Sequence, residues 1–411
     1  MKKLALISAV SLTVSGQAMA AAYKLPENSI NGTALSAAYV ANAHGADAAY
    51  YNPAAMVFND GGATLEASLT GIHLSSMDYT GAGGSDSSKK ENFLIPTFHY
   101  VSPAMGNARF GLSVVTPAGL TKRWAGVGAS TAEEFTLKTV EINPTAAYKF
   151  NDQFSVAAGA RVIYSKGIVK SGLPAAGFRD MEGDSFDFGY NLALLFKPTN
   201  ALSLAATYRS KIDLTVEGNA RVGFTAGPTT MYNGDVSVLV PVPAALNLAV
   251  AYDVTPDTTV ELVFERTYWS AYDQLDFNYS VNLATIHAGL AAYDNPSIKN
   301  WSDSNTYRIG VSHKLNNKWD LMAGFAYDKS PVDKRYVGFE LPDTDAKIFS
   351  VGAKYQYSDK MTIGAAFLYD KKDTLTLTPA DGNTGSGGAF TTATVEDAAA
   401  YLFTVGLDYK F

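Results

Sequence analysis

Apolar and polar residues alternate at every second position over many short stretches of this chain. In the last of these stretches the apolar positions are Tyr401, Phe403, Val405, Leu407, Tyr409 and Phe411. The residues between them are mostly small or polar. A period of two predicts a β-strand with one apolar and one polar face. Aromatic side chains on the apolar face are typical of a strand that borders lipid in a bacterial outer membrane.

Fourteen alternating segments follow one another from residue 61 onward, separated by Gly, Asp, Asn and Pro. We expect strands near residues 61–79, 92–104, 106–118, 133–150, 152–170, 179–197, 200–220, 235–253, 256–281, 299–315, 317–330, 343–358, 360–378 and 396–411. Short polar turns alternate with longer connections at residues 80–91, 119–132, 282–298, 331–342 and 379–395. This is the outer-membrane pattern of short turns on one side and long loops on the other. The sequence therefore predicts an all-β fold, a 14-stranded antiparallel transmembrane β-barrel over residues 60–411.

Prolines weaken the alternation in three of these segments. Pro144 lies in the fourth, Pro241 and Pro243 lie in the eighth, and Pro117 lies near the end of the third. Proline cannot donate a ladder hydrogen bond, so it is confined to edges, bulges and breaks of a sheet. We predict a gap in the wall near Thr116, with the alternative that the third strand simply ends there in a turn.

Residues 21–59 lack the period of two. Small residues, chiefly alanine, fill residues 31–49, and the segment continues to Asn52-Pro53-Ala54, where a helical turn should stop because the residue before proline avoids the helical region. One interpretation is a compact segment that precedes the barrel. The other is an N-terminal hatch, a plug folded inside the lumen, where irregular backbone is tolerated. A wide barrel must be filled by protein or by solvent, which makes residues 21–59 the candidate filler.

Two lysines, an apolar run and an Ala-x-Ala sequence occupy residues 1–20. This order predicts a signal peptide that is cleaved before Ala21. The alternative, an uncleaved membrane anchor, is disfavoured because the apolar run is short. Without residues 1–20, 30 basic and 39 acidic residues leave a net charge of −9. An acidic exported chain without a strong basic cluster argues against a nucleic-acid partner.

The composition adds a little. The chain has 24 Tyr and 35 Gly, a combination that strands with one apolar and one polar face produce on average, although a soluble β-sandwich shares part of it. Cysteine is absent, which excludes disulfides and thiolate metal sites. The five histidines are scattered without metal-ligand spacing, and no nucleophile elbow occurs. We expect no cofactor, no metal site, no catalytic residues and no enzymatic activity.

Several short sequences along the chain resemble, in order, those of the FadL family of outer-membrane transporters for long-chain fatty acids and related hydrophobic compounds. They include Ser29-Ile30-Asn31-Gly32, Asn52-Pro53-Ala54, Asn143-Pro144, Thr207-Tyr208-Arg209-Ser210, Tyr268-Trp269-Ser270 and Asp328-Lys329-Ser330-Pro331-Val332. The resemblance spans nearly all of the chain after the signal peptide. It implies a fourteen-stranded barrel with a hatch, ligand binding in the lumen, and sideways release through a gap beside a kinked third strand.

The resemblance also implies ligand contacts. Lys299 matches a lysine that meets the ligand carboxylate; the alternative is a solvated loop lysine. Tyr23 matches an aromatic residue that touches the ligand; the alternative is a frayed terminus. The family's arginine on the fifth strand falls near Ser171, so Lys170 and Arg161 are the nearest candidates for a second cation. Arg161 has an alternative role as the partner of an inward-facing acid.

Thr116 is predicted to lie at the wall gap and to line the ligand's path, whereas Asn52, Pro53 and Ala54 are predicted to be part of the hatch. The connections at residues 171–180 and 221–234 are brief. Family members with an outer capture groove have longer helical loops there. We therefore expect the first binding step of this chain to differ.

The leading hypothesis is a passive, monomeric outer-membrane transporter of long-chain fatty acids, surrounded by membrane lipid and lipopolysaccharide. A fatty acid has an apolar tail, and burial of each methylene is worth about 0.8 kcal/mol. A pocket with apolar walls and one or two cations for the carboxylate suits such a molecule. Three alternatives stay open: uptake of another hydrophobic compound such as an aromatic hydrocarbon, a structural or adhesive barrel, and a general diffusion porin.

Overall fold

Fourteen wall strands form a closed antiparallel barrel in the computed structural model, which describes residues 22–172, 177–224 and 229–411. We number them β1 (Thr64–Leu74), β2 (Glu91–Val101), β3 (Ala108–Val115 and Gly119–Lys122), β4 (Glu134–Lys149), β5 (Phe154–Gly172), β6 (Gly177–Phe196), β7 (Leu202–Arg209 and Ile212–Phe224), β8 (Thr229–Val242 and Ala245–Thr255), β9 (Thr258–Thr267), β10 (Ser304–Asn316), β11 (Trp319–Asp328), β12 (Ala346–Gln356), β13 (Met361–Lys372) and β14 (Ala399–Lys410). Each strand pairs with the next, and β1 pairs with β14, which closes the barrel. The predicted fold class and strand count are confirmed.

The two faces of the wall differ as the alternation predicted. In β14, Phe403 is 55% exposed on the outside, whereas the neighbouring Thr404 is fully buried on the inside. The same order holds in β6, where Phe186, Phe188 and Tyr190 are exposed. An outer surface of large apolar side chains around a more polar interior is the reverse of a water-soluble barrel.

Three wall strands are interrupted. The break in β3 lies between Val115 and Gly119, where a gap near Thr116 was predicted. β8 breaks at Pro243, since proline lacks the N–H that a ladder needs. β7 breaks after Arg209, a position that carries no such signal in the sequence.

Several predicted boundaries are wrong. The thirteenth predicted strand, residues 360–378, ends at Lys372; the tenth, residues 299–315, begins at Ser304; and the eighth, residues 235–253, begins at Thr229. The first predicted strand, residues 61–79, ends at Leu74, because the alternation continues into a separate sheet. The ninth, residues 256–281, breaks at Thr267, where a 3₁₀ turn takes the chain off the wall. The chain returns to the barrel sheet at Phe277–Tyr279, which pairs with β8. Residues 119–122, predicted as the start of a loop, form the second piece of β3. Both faces of that piece are buried, so no alternation marks it.

Short elements occupy the loops at the end of the barrel opposite the tight turns. A four-stranded sheet contains Asp78–Gly81, Gly84–Ser87, Leu375–Leu377 and Ala393–Glu396. The other short elements are the strands Gln274–Leu275 and Ser297–Ile298, the α-helices Ala129–Ala132, Leu283–Ile286 and Ala291–Asp294, and the 3₁₀ turns Trp269–Ala271, Ala288–Leu290, Lys334–Tyr336, Pro379–Asp381 and Gly385–Gly388. The short strand Phe277–Tyr279 is part of the barrel sheet. Over the described ranges, no helix is long and apolar enough to cross a membrane.

Residues 22–58 lie inside the barrel, so of the two interpretations the hatch is confirmed. The hatch contains α1 (Ile30–Ala34), α2 (Ala48–Tyr51) and the 3₁₀ turn Pro53–Phe58. Ser29 caps α1, because its Oγ accepts the Gly32 N–H at 2.9 Å. α1 packs against β11 to β14. The predicted signal peptide, residues 1–20, lies outside the described residues.

Polar side chains of the wall hold the hatch in place. Glu261 on β9 accepts hydrogen bonds from the backbone N–H groups of Val40, Ala41 and Asn42, at 2.6, 2.6 and 3.1 Å. The hydroxyl groups of Ser36 and Ser350 form a hydrogen bond, with their oxygens 2.8 Å apart. Because these groups are buried, each contact satisfies a polar atom that would otherwise be costly inside the barrel.

Candidate ligand pocket and wall window

An apolar pocket lies inside the barrel at the end that carries the long loops. Five wall strands, the start of the hatch and two loops supply its lining, which consists of Tyr23, Leu120, Phe135, Thr136, Leu137, Gly167, Val169, Val216, Val238, Val240, Tyr272, Leu275, Phe277, Glu340 and Leu341. The cavity volume is about 40 Å³. One water needs about 10–15 Å³ of such a cavity, so the space holds only a few waters, and a long ligand fits only after lining side chains move.

Tyr23, the predicted ligand-contacting aromatic residue, lines this pocket and is 2% exposed. Its ring packs edge-on against Trp269 with centroids 4.7 Å apart, and it also contacts Tyr272 and Trp301. Its hydroxyl donates a hydrogen bond to the Pro241 carbonyl at 2.5 Å. Burial raises the pKa of Tyr23 well above its usual value, so the phenol stays neutral. The frayed terminus considered as the alternative is not found.

Lys299, the predicted headgroup lysine, lies beside the pocket and forms an ion pair with Glu340. Its side chain is 5% exposed and that of Glu340 is 16% exposed, so Lys299 is not a solvated loop lysine. The backbone N–H of Lys299 donates to the Asp273 carbonyl at 2.7 Å, which fixes the chain at this point. The carboxylate that meets Lys299 in this structure is therefore the protein's own.

The wall has a window between β2 and β3. On the side of the window nearer the tight turns, the two strands still pair at Phe98 and Val114. On the side nearer the long loops, the Lys89 N–H donates to the Arg123 carbonyl at 2.8 Å, and the Arg123 guanidinium binds the Glu91 carboxylate. Between these ends no ladder joins the two strands, since the second piece of β3 pairs only with β4. We use "wall window" for this opening.

Residues 22–27 of the hatch cover the wall window, and we call them the leading segment; residues 28–58 are the hatch body. The Leu25 N–H donates to the Pro117 carbonyl at 2.9 Å, and the Gly119 N–H donates to the Tyr23 carbonyl at 2.7 Å. Leu25 also belongs to a buried apolar cluster that includes Phe93 on β2. Backbone groups left unpaired in lipid cost several kcal/mol, so the leading segment takes the part of a missing strand.

Besides Tyr23, the leading segment carries two ionisable groups, Lys24 and Glu27. Lys24 pairs with Glu265 at 2.6 Å, and Arg308 approaches the same carboxylate at 3.5 Å. Burial lowers the pKa of Lys24 against the opposing effect of Glu265. Burial raises the pKa of Glu27 to about 7, and Glu27 Oε1 has no hydrogen-bond partner among the described residues.

The remaining predicted cations are engaged elsewhere. Arg161 forms a buried ion pair with Glu141 at 2.9 Å and donates to the Ser210 carbonyl at 2.7 Å, in keeping with the alternative role of an inward ion pair. The Lys170 side chain is 41% exposed and lies 3.6 Å from Glu134. Neither residue lines the apolar pocket. A ligand contact at either position stays a prediction.

Thr116 lies at the break in β3, where its backbone N–H donates to Asn28 Oδ1 at 3.1 Å. It is next to the wall window but does not line the pocket. Asn52 Nδ2 donates to the Val40 carbonyl at 2.9 Å, and Pro53 and Ala54 open the 3₁₀ turn that follows. Asn52, Pro53 and Ala54 thus lie within the hatch body.

Two candidate functional residues, Glu340 and Leu25, were not predicted from the sequence. Glu340 lies in a predicted loop, and nothing in the local sequence pairs it with Lys299, 41 residues away. Leu25 is a single apolar residue between Lys24 and Pro26, so no periodicity marks it. Only the fold brings these side chains to the pocket and to the wall window.

The chain resembles known proteins over nearly its whole length. A family model described as outer membrane protein transport protein (OMPP1/FadL/TodX) matches residues 11–411. The chain is 24% identical over 416 residues to the long-chain fatty acid transport protein of Escherichia coli strain K12, which covers 87% of this chain and 89% of that protein.

Two solved structures share the fold. The crystal structure of a Pseudomonas aeruginosa FadL homologue has a TM-score of 0.79 and 20% identity, and covers 95% of this chain and 100% of that chain. The crystal structure of the Pseudomonas putida toluene transporter TodX has a TM-score of 0.71 and 17% identity, and covers 92% of this chain and 98% of that chain.

Proposed function

The chain belongs to the OMPP1/FadL/TodX family of outer membrane transport proteins, and from this premise we propose that it takes up long-chain fatty acids. It lies in the bacterial outer membrane, and its family transports hydrophobic compounds. In this proposal the ligand binds in the apolar pocket, displaces the leading segment and leaves sideways through the wall window.

One observation carries this proposal: the leading segment belongs to both sites. Tyr23 fills the pocket, while Leu25, two residues later, packs at the wall window. A ligand that enlarges the 40 Å³ cavity must push against Tyr23. Displacement of Tyr23 pulls on the backbone that pairs with β3 at Pro117 and Gly119. Binding and opening are therefore linked through six residues of chain.

Lateral release suits the chemistry of the cargo. Each buried methylene favours an apolar surrounding by about 0.8 kcal/mol, so a tail of many methylenes that crossed open water would meet a high barrier. The wall window faces the outer, apolar surface of the barrel. A ligand that leaves there moves from an apolar pocket to lipid without exposing its tail to water.

Fatty acid is the favoured cargo for two reasons. The Escherichia coli relative, named as a long-chain fatty acid transport protein, aligns over 87% of this chain. The pocket also has a buried lysine, Lys299, at its edge, and an ammonium group forms strong charge-assisted hydrogen bonds with a carboxylate.

A neutral aromatic hydrocarbon is the second candidate. Among the described residues that line the pocket there is no cation, and Lys299 is already paired with Glu340. A solved structure with the same fold is named as a toluene transporter. If this candidate is right, Lys299 and Glu340 serve only to join two loops.

Uptake in cells tests the proposal. The full chain, with its leader, is expressed in a bacterial host whose own fatty-acid transporter has been deleted, and uptake of radiolabelled oleate and of radiolabelled toluene is measured. We expect oleate uptake to rise above the empty-vector level. An increase for toluene alone would favour the hydrocarbon, and no increase for either would reject both cargoes.

Conductance separates the transporter from a diffusion porin. Purified protein in planar bilayers should show little steady ion current, because the hatch body fills the lumen with buried residues. A large and constant open-channel current would contradict the sideways route and favour a water-filled pore.

A further inference from the structure

Glu340 is the one charged side chain among the described residues that line the apolar pocket. One of its carboxylate oxygens binds Lys299 Nζ, and both side chains are largely buried. Removing one partner of a buried ion pair is strongly destabilising, because the other charge is then left uncompensated. Lys299 therefore requires a carboxylate partner. Either the protein or a bound ligand can supply that carboxylate.

We propose that Glu340 is a specificity-determining residue that competes with an ionised ligand for Lys299. This inference rests on the proposed function. A long-chain carboxylate has to replace Glu340 at Lys299 Nζ before its headgroup can bind. A neutral molecule with the same tail leaves the ion pair intact. Glu340 thus weakens the binding of monocarboxylates and leaves the binding of neutral hydrophobic molecules unchanged.

The backbone on both sides of the ion pair is held independently of it. Phe339 and Leu341, which flank Glu340, are both buried, and Trp124 Nε1 donates to the Phe339 carbonyl at 2.8 Å. On the other side, the Lys299 N–H is bound to the Asp273 carbonyl. Exchange of one carboxylate for another therefore needs side-chain rotation only, without movement of either loop.

Competition of this kind serves release. A transporter has to bind its cargo well enough to admit it and weakly enough to let it go. The apolar lining sets the affinity for the tail, and Lys299 sets the affinity for the headgroup. When Glu340 returns to Lys299, the ammonium again has a partner, and the ligand carboxylate loses its own. The headgroup contact is thereby made reversible.

Binding to the purified, detergent-solubilised full chain tests the inference. The probes are radiolabelled oleate and radiolabelled oleyl alcohol, which share one tail and differ in headgroup, at a pH where oleate is ionised. We expect Glu340→Gln to bind oleate at least about tenfold more tightly than wild type, since charge-assisted hydrogen bonds to the freed ammonium replace a competing pair. Oleyl alcohol should bind within about twofold of wild type.

Two further variants make the result specific. Lys299→Met in the Glu340→Gln background should remove the gain for oleate, because no ammonium remains. Asp373→Asn is the matched control: Asp373 pairs with Lys347 at 2.8 Å on the surface and does not line the pocket. It should change the binding of neither probe.

The inference would be overturned if folded Glu340→Gln bound oleate no better than wild type while its binding of oleyl alcohol was unchanged. The ion pair would then serve only to join the two loops. Heat-modifiable migration on gels checks that each barrel is folded. If Glu340→Gln does not fold, Glu340→Asp, which shortens the carboxylate arm by one methylene, should raise oleate affinity to a smaller extent. Wild-type protein that binds neither probe would instead reject the proposed function.

Discussion

The leading segment and the hatch body are consecutive in the chain, yet they are attached to the barrel in different ways. The hatch body is held by buried polar contacts with wall strands on several sides, among them Glu261, Ser350 and Thr404. The leading segment is held by one edge of β3, by the hydrogen bond from the Tyr23 hydroxyl to the Pro241 carbonyl, by one ion pair and by apolar contacts. Apolar contacts slide and re-form, whereas buried hydrogen bonds have to be broken together.

From this difference we infer which part of the hatch moves. The hatch body lies in the lumen, and none of its residues is among the described residues that line the pocket. The leading segment contacts the pocket through Tyr23 and the wall window through Leu25. Asn28 marks the boundary between them, since its side chain accepts the Thr116 N–H and donates to the Leu25 carbonyl. We therefore expect transport to need motion of about six residues rather than ejection of the hatch.

A disulfide across the leading segment should give the largest effect. Lys24 and Ala118 form an antiparallel bridge without direct hydrogen bonds between them, a pair whose Cα atoms lie about 4.5 Å apart, within disulfide range. The chain has no cysteine, so Lys24→Cys with Ala118→Cys introduces the only possible bond. Oxidation should reduce oleate uptake to less than about a tenth, and a reductant should restore it.

The matched control places the same bond in the hatch body. Ser36→Cys with Ser350→Cys joins two side chains whose oxygens are 2.8 Å apart. Its oxidation should leave uptake unchanged. Loss of uptake with this second disulfide would show that the hatch body moves too, and the distinction between the two regions would then fail.

The sequence predicted the strands of the wall better than the wall window and the leading segment that covers it. Strands such as β13 follow from period-two alternation, with Ile363, Ala365 and Phe367 on the outer face, because lipid and lumen impose opposite polarities on the two faces. The absence of that period left two interpretations of residues 21–59, of which the hatch was one. The second piece of β3 was missed because both of its faces are buried.

The candidate site was predicted only in part, for a physical reason. Tyr23 and Lys299 were found through the family resemblance and do lie at the pocket. Glu340 and Leu25 act through contacts with distant residues that no local pattern encodes. A pocket assembled from five strands and two loops depends on three-dimensional proximity, which composition and periodicity do not determine.

Removal of the Glu261 carboxylate should loosen the hatch body. Glu261→Ala leaves three backbone N–H groups without their acceptor. A buried donor that loses its partner costs about 1–3 kcal/mol, so three of them give an expected cost of at least about 3 kcal/mol to hatch docking. The measurement is steady ion conductance, which should increase, with Asp152→Ala at an exposed turn as the control. Unaltered conductance would mean that the other contacts suffice to hold the hatch body.

Alkaline pH should loosen the leading segment by a smaller amount. The pKa of Glu27 is raised by burial from 4.5 to about 7, next to Arg308, Asp328 and Glu265. Once displaced into water, Glu27 regains its ordinary pKa. Docking is therefore most favourable below about pH 4.5 and weakens as the pH rises through about 7. After division by the intrinsic effect of pH on thiol reactivity, measured with free cysteine, labelling of Ala22→Cys by a methanethiosulfonate reagent should be about tenfold more extensive at about pH 8 than at about pH 5.5.

Glu27→Gln is the matched variant for this pH series. Its side chain has nearly the same shape and does not ionise, so after the same division the difference in labelling between the two pH values should disappear. A pH response that is equal with and without the Glu27→Gln substitution would assign the loosening to another group.

Loss of the Lys24 charge should have the smallest effect. In Lys24→Met, Glu265 loses its partner at 2.6 Å but keeps Arg308 at 3.5 Å, so the carboxylate is not left alone. A cost of about 1 kcal/mol to docking follows, well below that of a fully orphaned buried charge. Labelling at Ala22→Cys should rise about fivefold, whereas ion conductance should stay at the wild-type level because the hatch body is untouched. Lys347→Met, which removes a half-exposed surface pair with Asp373, should change neither measurement. A rise in conductance with Lys24→Met would mean that the leading segment also holds the hatch body in place, and that the two regions move as one.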